Sequence, residues 1–215
     1  MKTTYPPSDR TRVRRGAGNA VYDPALVRAI VDAAYICHIA FSDGQGAHCI
    51  PTACWREGEH LYIHGSNGSR MLKQLMAQDA CVTITHLDGL VMARSAFNHS
   101  MNYRSVMIYG RFEAVDEVQQ RRALDAFMEH LAPGRSREAR AGNDKEHAAT
   151  TVLRIPLAEA ACKMRTGGPK DDEEDMGIAA WVGELPFAQQ RTAPVPDPAC
   201  AVPAPAYVRE WASES

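Results

Sequence analysis

The sequence predicts a mainly-β fold, a small antiparallel barrel with helices packed on its outside. Three observations predict it. About six or seven short runs rich in Val, Ile, Thr, Cys and aromatic residues recur between 35 and 165. Turns at 42–46 (SDGQG) and 57–59 (EGE) separate neighbouring runs by only a few residues, too few for the crossovers that a parallel, doubly wound sheet needs. Helical spacing is found at 24–34, 69–77 and 116–132, and the highly charged stretch 135–147 reads as a loop or a short helix. No internal repeat is present.

Taken in order, residues 1–20 are polar, with Pro6 and Pro7 adjacent, and read as an extended arm. Asp23 followed by Pro24 marks a helix start: a carboxylate cap, then a proline where no N–H is needed. Leu26, Val27, Ile30 and Val31 carry that helix toward Ala34. Residues 35–41 (YICHIAF) are a strand by composition, 42–46 a hairpin turn, and 48–55 the second strand. Pro51 within it demands an edge or a bulge, because proline donates no ladder bond. A third strand runs into the segment at 61–73. Residues 80–87 (ACVTITHL) have the strongest strand pattern, and 89–93 either continue it or begin the next strand. Residues 97–103 (FNHSMNY) show no period, and 104–114 return to a strand with Val106 and Ile108 on one face. The helix at 116–132 has Leu124, Phe127, Met128 and Leu131 on its apolar side and ends at Pro133 and Gly134. Strands follow at 151–157 and 160–165, then a break at Gly167, Gly168 and Pro169 and an acidic run at 171–175. Residues 180–186 (AWVGELP) require order, since Trp181 and Val182 need cover, and 187–215 are Pro- and Ala-rich and read as an irregular tail. The expected organisation is an arm at 1–20, a barrel domain at 21–186 and a tail at 187–215.

A chain of 215 residues can bury a substantial core as one domain. The formal net charge of -2 supplies no basic field for nucleic acid. No apolar run is long enough to cross a bilayer, and the N-terminus has no apolar core of a secretion signal. Six cysteines without a CxxC pair point to a reducing, cytoplasmic setting, with Cys37, Cys49, Cys54 and Cys81 expected as buried thiols.

The segment LYIHGSNGSRMLK at 61–73 is the expected centre of the chemistry. A strand ending at His64 enters a turn of Gly65, Ser66, Asn67 and Gly68, and Ser69 caps a helix that opens with Arg70. A strand, a small-residue turn and a capped helix present free N–H groups that favour an anion. Ser66 and Ser69 add hydroxyls, and Arg70 and Lys73 add charge. The spacing is neither GxxxxGK[ST] nor GxGxxG, so a strand–turn–helix with incidental hydroxyls is the plain alternative.

Four motifs in order, LYIHGSNGSRMLK at 61–73, THLDGLVMARSAFNHSMNYRSVMIYG at 85–110, KMRTGGPKDDEED at 163–175 and WVGELP at 181–186, resemble the pyridoxamine 5′-phosphate oxidase-like superfamily of FMN-binding split β-barrels. Within it, the chain is most similar to the flavin-nucleotide-binding branch that includes nitroimidazole resistance proteins. The resemblance covers about 12–186 and implies a homodimer with FMN at the interface. It places His64, Gly65, Ser66, Ser69 and Arg70 around the phosphate and Ile50, Pro51 and Thr52 near the isoalloxazine ring. Met71 stands where the oxidases carry a basic residue, with Lys73 the nearest substitute, and the oxidases' substrate-phosphate residues have no equivalents. Pyridoxamine phosphate oxidation is therefore not assigned.

In the second motif Arg94, Ser95, Asn98, His99, Ser100, Asn102, Tyr103 and Arg104 crowd polar side chains that could tune a flavin. Arg94 or Arg104 would favour the reduced ring and His99 would deliver a proton. The alternative is a polar dimer-contact loop in which Arg104 holds a carboxylate. Lys163 and Arg165 face the ligand or pair with Asp171 and Asp172. Trp181 walls the flavin cavity or serves as a core or interface residue.

No zinc spacing is present among the histidines. Haem is a competing reading, with His64 or His99 as an axial ligand. The leading expectation is an FMN-dependent oxidoreductase acting on a small organic substrate, with Arg94 and His99 as catalytic residues and a nicotinamide as a possible donor. Its alternatives are a flavin-storing or flavin-sensing protein, or a haem-binding split barrel. No metal site, nucleic-acid partner or membrane partner is expected.

Overall fold

Strand periodicity fixes which face of each strand is buried. In β2 (Ile36–Asp43), Cys37, Ile39 and Phe41 turn inward while Ile36, His38 and Ala40 turn out. β6 (Ala80–Met92) buries Ala80, Val82 and Ile84 in the same alternation. In this computed structural model, which describes residues 5–213, such strands form two antiparallel sheets. The larger, seven-stranded sheet is ordered β1 (Ala20–Val21), β10 (Ala160–Arg165), β7 (Ser100–Gly110), β6, β2 and β3 (Gly46–Ala53), with β11 (Gly183–Pro186) added beside the far end of β6. The smaller is ordered β4 (Trp55–Glu57), β5 (His60–Ser66), β9 (Thr150–Pro156) and β8 (Glu113–Ala114). Pro51 lies on β3, the edge strand, where its missing N–H breaks no ladder.

The main core lies between the sheets. Ile39, Val82, Ile84, Val106 and Ile108 meet Leu61, Ile63, Leu153 and Ile155 there. Helix α1 (Pro24–Asp32) contributes Val27, Ile30 and Val31, and α2 (Arg70–Ala77) contributes Leu72 and Leu75. Asp23 caps α1 by accepting from the Ala25 N–H at 2.9 Å, a contact worth about 1 kcal/mol. A second cluster sits on the other side of the smaller sheet: Trp55, Tyr62 and Val152 pack under Ala123, Leu124 and Phe127 of α3 (Glu117–Leu131). Along β5, Leu61 and Ile63 therefore serve one core and Tyr62 the other.

Several expectations are corrected. Leu131, the last residue of α3, is exposed. Cys49 is also exposed, on the outward side of the edge strand, and Cys81 is only partly covered; Cys37 and Cys54 are fully buried. β7 begins at Ser100, inside the stretch that showed no period, because it continues a hairpin with the end of β6, with Leu90 opposite Met101 and Gly89 opposite Asn102. The tail is irregular only to 205. Residues 206–213 form α5 (Ala206–Ser213), where Tyr207 stacks edge-on with Trp211 at 5.0 Å and hydrogen bonds Glu138 at 2.8 Å. The remaining helix, α4 (Asp144–Ala148), carries a capping box from Asn143 and Glu146.

The described part of the N-terminal arm lies against the sheet. Ser8 donates to Glu159 at 2.6 Å, Arg10 pairs with Asp79 at 2.8 Å, and its guanidinium stands 4.7 Å over the Tyr109 ring. No helix among the described residues is long and apolar enough to cross a membrane.

Candidate functional site

β5 runs on to Ser66, and the turn that follows is held tightly. The Ser69 N–H donates to the Ser66 carbonyl at 2.9 Å, and the Gly68 N–H donates to Ser66 Oγ at 3.3 Å. Ser69 caps α2, accepting from the Leu72 N–H at 3.4 Å. The N–H groups of Arg70 and Met71 open the helix and have no partner within it. A Cβ on Gly65 would stand 3.1 Å from Leu72 Cδ1, so glycine lets the helix sit down on the strand. Asn67, which sequence reasoning left as a turn residue, anchors the loop: its Nδ2 donates to the Ala148 carbonyl at 2.6 Å and its Oδ1 accepts from Thr151 at 2.7 Å. Ser66, Gly68, Arg70 and Lys73 are exposed. Helix N–H groups without a helical partner thus lie beside exposed Ser66 and Arg70, a combination of groups that favours an anion.

The tip of the β2–β3 hairpin reaches this turn. Arg70 Nη1 donates to Gln45 Oε1 at 3.0 Å and lies 3.5 Å from Asp43 Oδ2. Neither partner was singled out from sequence, since both belong to an ordinary hairpin turn. Farther along β3, Ile50 and Thr52 are half-buried on its core side and Pro51 is exposed on the other.

His64 is placed differently from the cradle residues. Its ring packs on the α3 side of the sheet, 5.0 Å from Phe127 and 5.8 Å from Trp55. Burial pushes its pKa below the ordinary value, which keeps the imidazole neutral at neutral pH. His64 Nδ1 and Trp55 Nε1 are both buried without a hydrogen-bond partner.

The second group of residues lies on the far end of the β6–β7 hairpin. Arg94 is engaged by Asp171, which accepts from its backbone N–H at 2.9 Å and from Nη1 at 2.7 Å; Arg94 Nε is buried without a partner. Arg104 binds Asp88 through two bonds of 2.9 and 2.7 Å, as the carboxylate-holding alternative anticipated. The Arg94 N–H and guanidinium hold the Asp171 carboxyl below the usual carboxylate range, and the Arg104 guanidinium does the same for Asp88. Arg165 pairs with neither Asp171 nor Asp172: it donates to Asn102 Oδ1 at 2.5 Å and to the carbonyls of Gly167 and Gly168 at 2.9 Å. Asn102, buried, also donates to Glu184 at 2.6 Å. Residues 166–187 thus form a strap tied back onto the hairpin, ending in β11. His99 is exposed, and its Nδ1 lies 2.8 Å from the Ser95 carbonyl. A carbonyl can only accept, so Nδ1 carries the hydrogen of that contact. Trp181 is exposed, its ring folded over Gly183, where a Cβ would come within 2.9 Å of it.

Among the described residues, no hydrogen bond, ion pair or ring contact joins the cradle to the hairpin group, and no cluster of three or more His, Cys, Asp or Glu could hold a metal ion. Within one chain the two halves of the expected site are thus not bonded to each other.

Comparison with known proteins gives concordant results. Residues 23–164 match the family described as pyridoxamine 5′-phosphate oxidase. The flavocytochrome Anf3 from Azotobacter vinelandii is 42% identical over 96% of this chain and 98% of its own, with a TM-score of 0.91. An FAD and haem binding protein from Mycobacterium smegmatis is 33% identical over 90% of this chain and 97% of its own, with a TM-score of 0.85. A candidate 5-nitroimidazole antibiotic resistance protein from Bacteroides thetaiotaomicron, 22% identical over 67% of this chain and 85% of its own with a TM-score of 0.57, shares the fold. No curated protein matches the sequence. The chain belongs to the pyridoxamine 5′-phosphate oxidase-like superfamily of flavin-binding split barrels.

Proposed function

We propose that this protein is a redox protein of the flavocytochrome type, binding a flavin, FAD in preference to FMN, together with a haem. This revises the expectation of an oxidoreductase working through FMN alone and joins it to the haem alternative. The observation that carries the reading is likeness over nearly the whole chain to a flavocytochrome and to an FAD and haem binding protein. The flavin supplies two-electron chemistry and the haem iron one-electron transfer.

The residues fit both groups. The turn at 65–70 offers a flavin phosphate Ser66, the N–H groups that open α2, Arg70 and Lys73. For iron, His99 has the arrangement of a ligand: the residue is exposed, and its Nδ1 lies 2.8 Å from a backbone carbonyl that would hold the ring. It stands near Phe97 and Met101, both exposed and apolar. His64 fits less well, because its ring is wedged between Trp55 and Phe127. Paired with carboxylates, Arg94 and Arg104 organise the hairpin and strap that present His99.

A homodimer belongs to the same proposal. Ile36 (57% exposed), Leu87 (46%) and Met101 (51%) project from the outer face of the large sheet, and Leu185 (45%) adjoins them on β11. A second copy would cover this apolar surface and could bring one chain's hairpin to the other's cradle.

The test is the spectrum and composition of the purified protein. Flavin bands with a haem Soret band are expected, with FAD released on denaturation. His99→Ala should lose the haem while retaining flavin. A protein that takes up neither group on reconstitution would overturn the proposal; release of FMN would overturn only the choice of flavin. Light scattering should give twice the monomer mass, and a monomer would refute the dimer.

A further inference from the structure

We infer that Gln45 and Asp43, at the tip of the β2–β3 hairpin, are positioning residues for Arg70, turning its guanidinium so that one edge stays open to a phosphoryl group. The inference rests on the reading of the 65–70 turn as a flavin-phosphate site.

Arg70 is 55% exposed at the first position of α2, and by itself its long side chain would sample many rotamers. The hairpin removes that freedom through one nitrogen. Nη1 meets Gln45 Oε1 at 3.0 Å and Asp43 Oδ2 at 3.5 Å, while Nε and Nη2 make no hydrogen bond among the described residues. The Nε–Nη2 edge is a fork that meets two oxygens of one phosphate in parallel.

The tether orients the arginine without cancelling its charge. Its shorter contact is to the neutral amide of Gln45. Asp43 is only 6% exposed, and its closer partners lie elsewhere: Oδ1 accepts from the Gln45 N–H at 2.8 Å and lies 2.9 Å from His48 Nε2. The carboxylate is thus largely committed to the hairpin itself, and Arg70 is its more distant partner.

The tip is also a fixed point. The His48 ring stacks on Phe41 at 5.1 Å, and Phe41 belongs to the main core. At the other end of α2, the Gln78 side chain donates to the Ser42 carbonyl. The hairpin therefore grips α2 at both ends, and any shift of the tip is carried to Arg70.

The test is flavin binding to the full-length protein stripped of flavin, followed by fluorescence with FAD and with riboflavin, which lacks the phosphate. Arg70→Ala is expected to weaken FAD about tenfold or more. Gln45→Ala, and Gln45→Ala with Asp43→Asn, should weaken FAD roughly three- to tenfold and leave riboflavin unchanged. In the Arg70→Ala background the same changes should have no further effect, since their route is gone. Equal losses with and without Arg70, an equal loss for riboflavin, or tighter FAD binding in the hairpin variants would overturn the inference. If Arg70→Ala alone leaves FAD affinity unchanged, the cradle reading falls and the inference falls with it. Gln45 is exposed, so its replacement keeps the test open even if Asp43→Asn disturbs the hairpin.

Discussion

Gly89→Ala tests how the strap is held. A Cβ at position 89 would stand 2.7 Å from the Leu185 carbonyl oxygen, 3.1 Å from Pro186 Cα and 3.3 Å from the Leu185 carbonyl carbon. All three neighbours are backbone, so no rotamer change relieves the contact, and β11 must move by several tenths of an ångström. β11 is short: four residue pairs, Gly183 with Met92 through Pro186 with Gly89, and the 2.9 Å bond from the Phe187 N–H to the Asp88 carbonyl. Losing one or two such bonds, at about 0.5–1.5 kcal/mol each, together with overpacking, gives a cost of roughly 1–3 kcal/mol. The two cores lie away from this contact, so the cost falls on local opening of the strap. Its open population should rise by about five- to a hundredfold, at 1.4 kcal/mol per factor of ten. Hydrogen exchange followed by mass spectrometry reads this directly: peptides covering 176–187 should exchange faster while those from β2 and β9 keep their protection. Unchanged protection at 176–187 would show that the close approach does not hold the strap, and the reasoning would fail.

Other expected outcomes concern single buried groups. Trp55 is fully buried and its indole N–H has no partner, so Trp55→Phe should fall within about 1 kcal/mol of the parent in urea unfolding, whereas Trp55→Ala should cost about 3–5 kcal/mol. A large loss for the Phe variant would mean that the N–H has a partner after all. Burial lowers the folded pKa of His64, so the unfolded chain takes up its proton first, near pH 6.5. The associated stability is fully present above about pH 6.5 and declines as pH falls through the lowered folded value. His64→Gln should flatten that decline, and parallel stability curves between about pH 7.5 and 5 would refute it. Arg104 lowers the folded pKa of Asp88, so this contribution is present above about pH 4 and is lost as pH falls through the folded value. Asp88→Asn should therefore be less stable than the parent at neutral pH, with the gap closing in acid. A gap independent of pH would assign the effect to something other than the ion pair.

The sequence was most legible where one local rule decides the structure. Asp23 and Pro24 start α1, Ser69 caps α2, and Pro51 marks an edge strand, and in each case the cause lies within a residue or two. It was least legible where a residue's partner is remote. Residues 97–103 showed no period because their neighbours are the end of β6 and the strap: Asn102 is buried by Arg165 and Glu184, each more than sixty positions away. Arg94 and Arg104 look alike in sequence to flavin-tuning cations, and only the fold supplies Asp171 and Asp88. The turn at 61–73 was readable as an anion cradle, but not its tether, since nothing in SDGQG announces that Gln45 will meet Arg70. Haem ranks below FMN from sequence because a haem leaves the anion cradle at 61–73 unexplained; the fitness of His99 comes from the Ser95 carbonyl, which the 3-10 turn at Ala96–Asn98 brings to its ring.

The two borders of the large sheet bear on how this molecule can associate. One ends in β1, a two-residue strand, and the other in β3, interrupted by Pro51. Neither offers the long row of unpaired backbone groups on which a foreign strand could template itself. Lateral growth from sheet to sheet is thus discouraged at both margins, and the pairing proposed above, through the outer face between them, would close on itself rather than extend into a fibre.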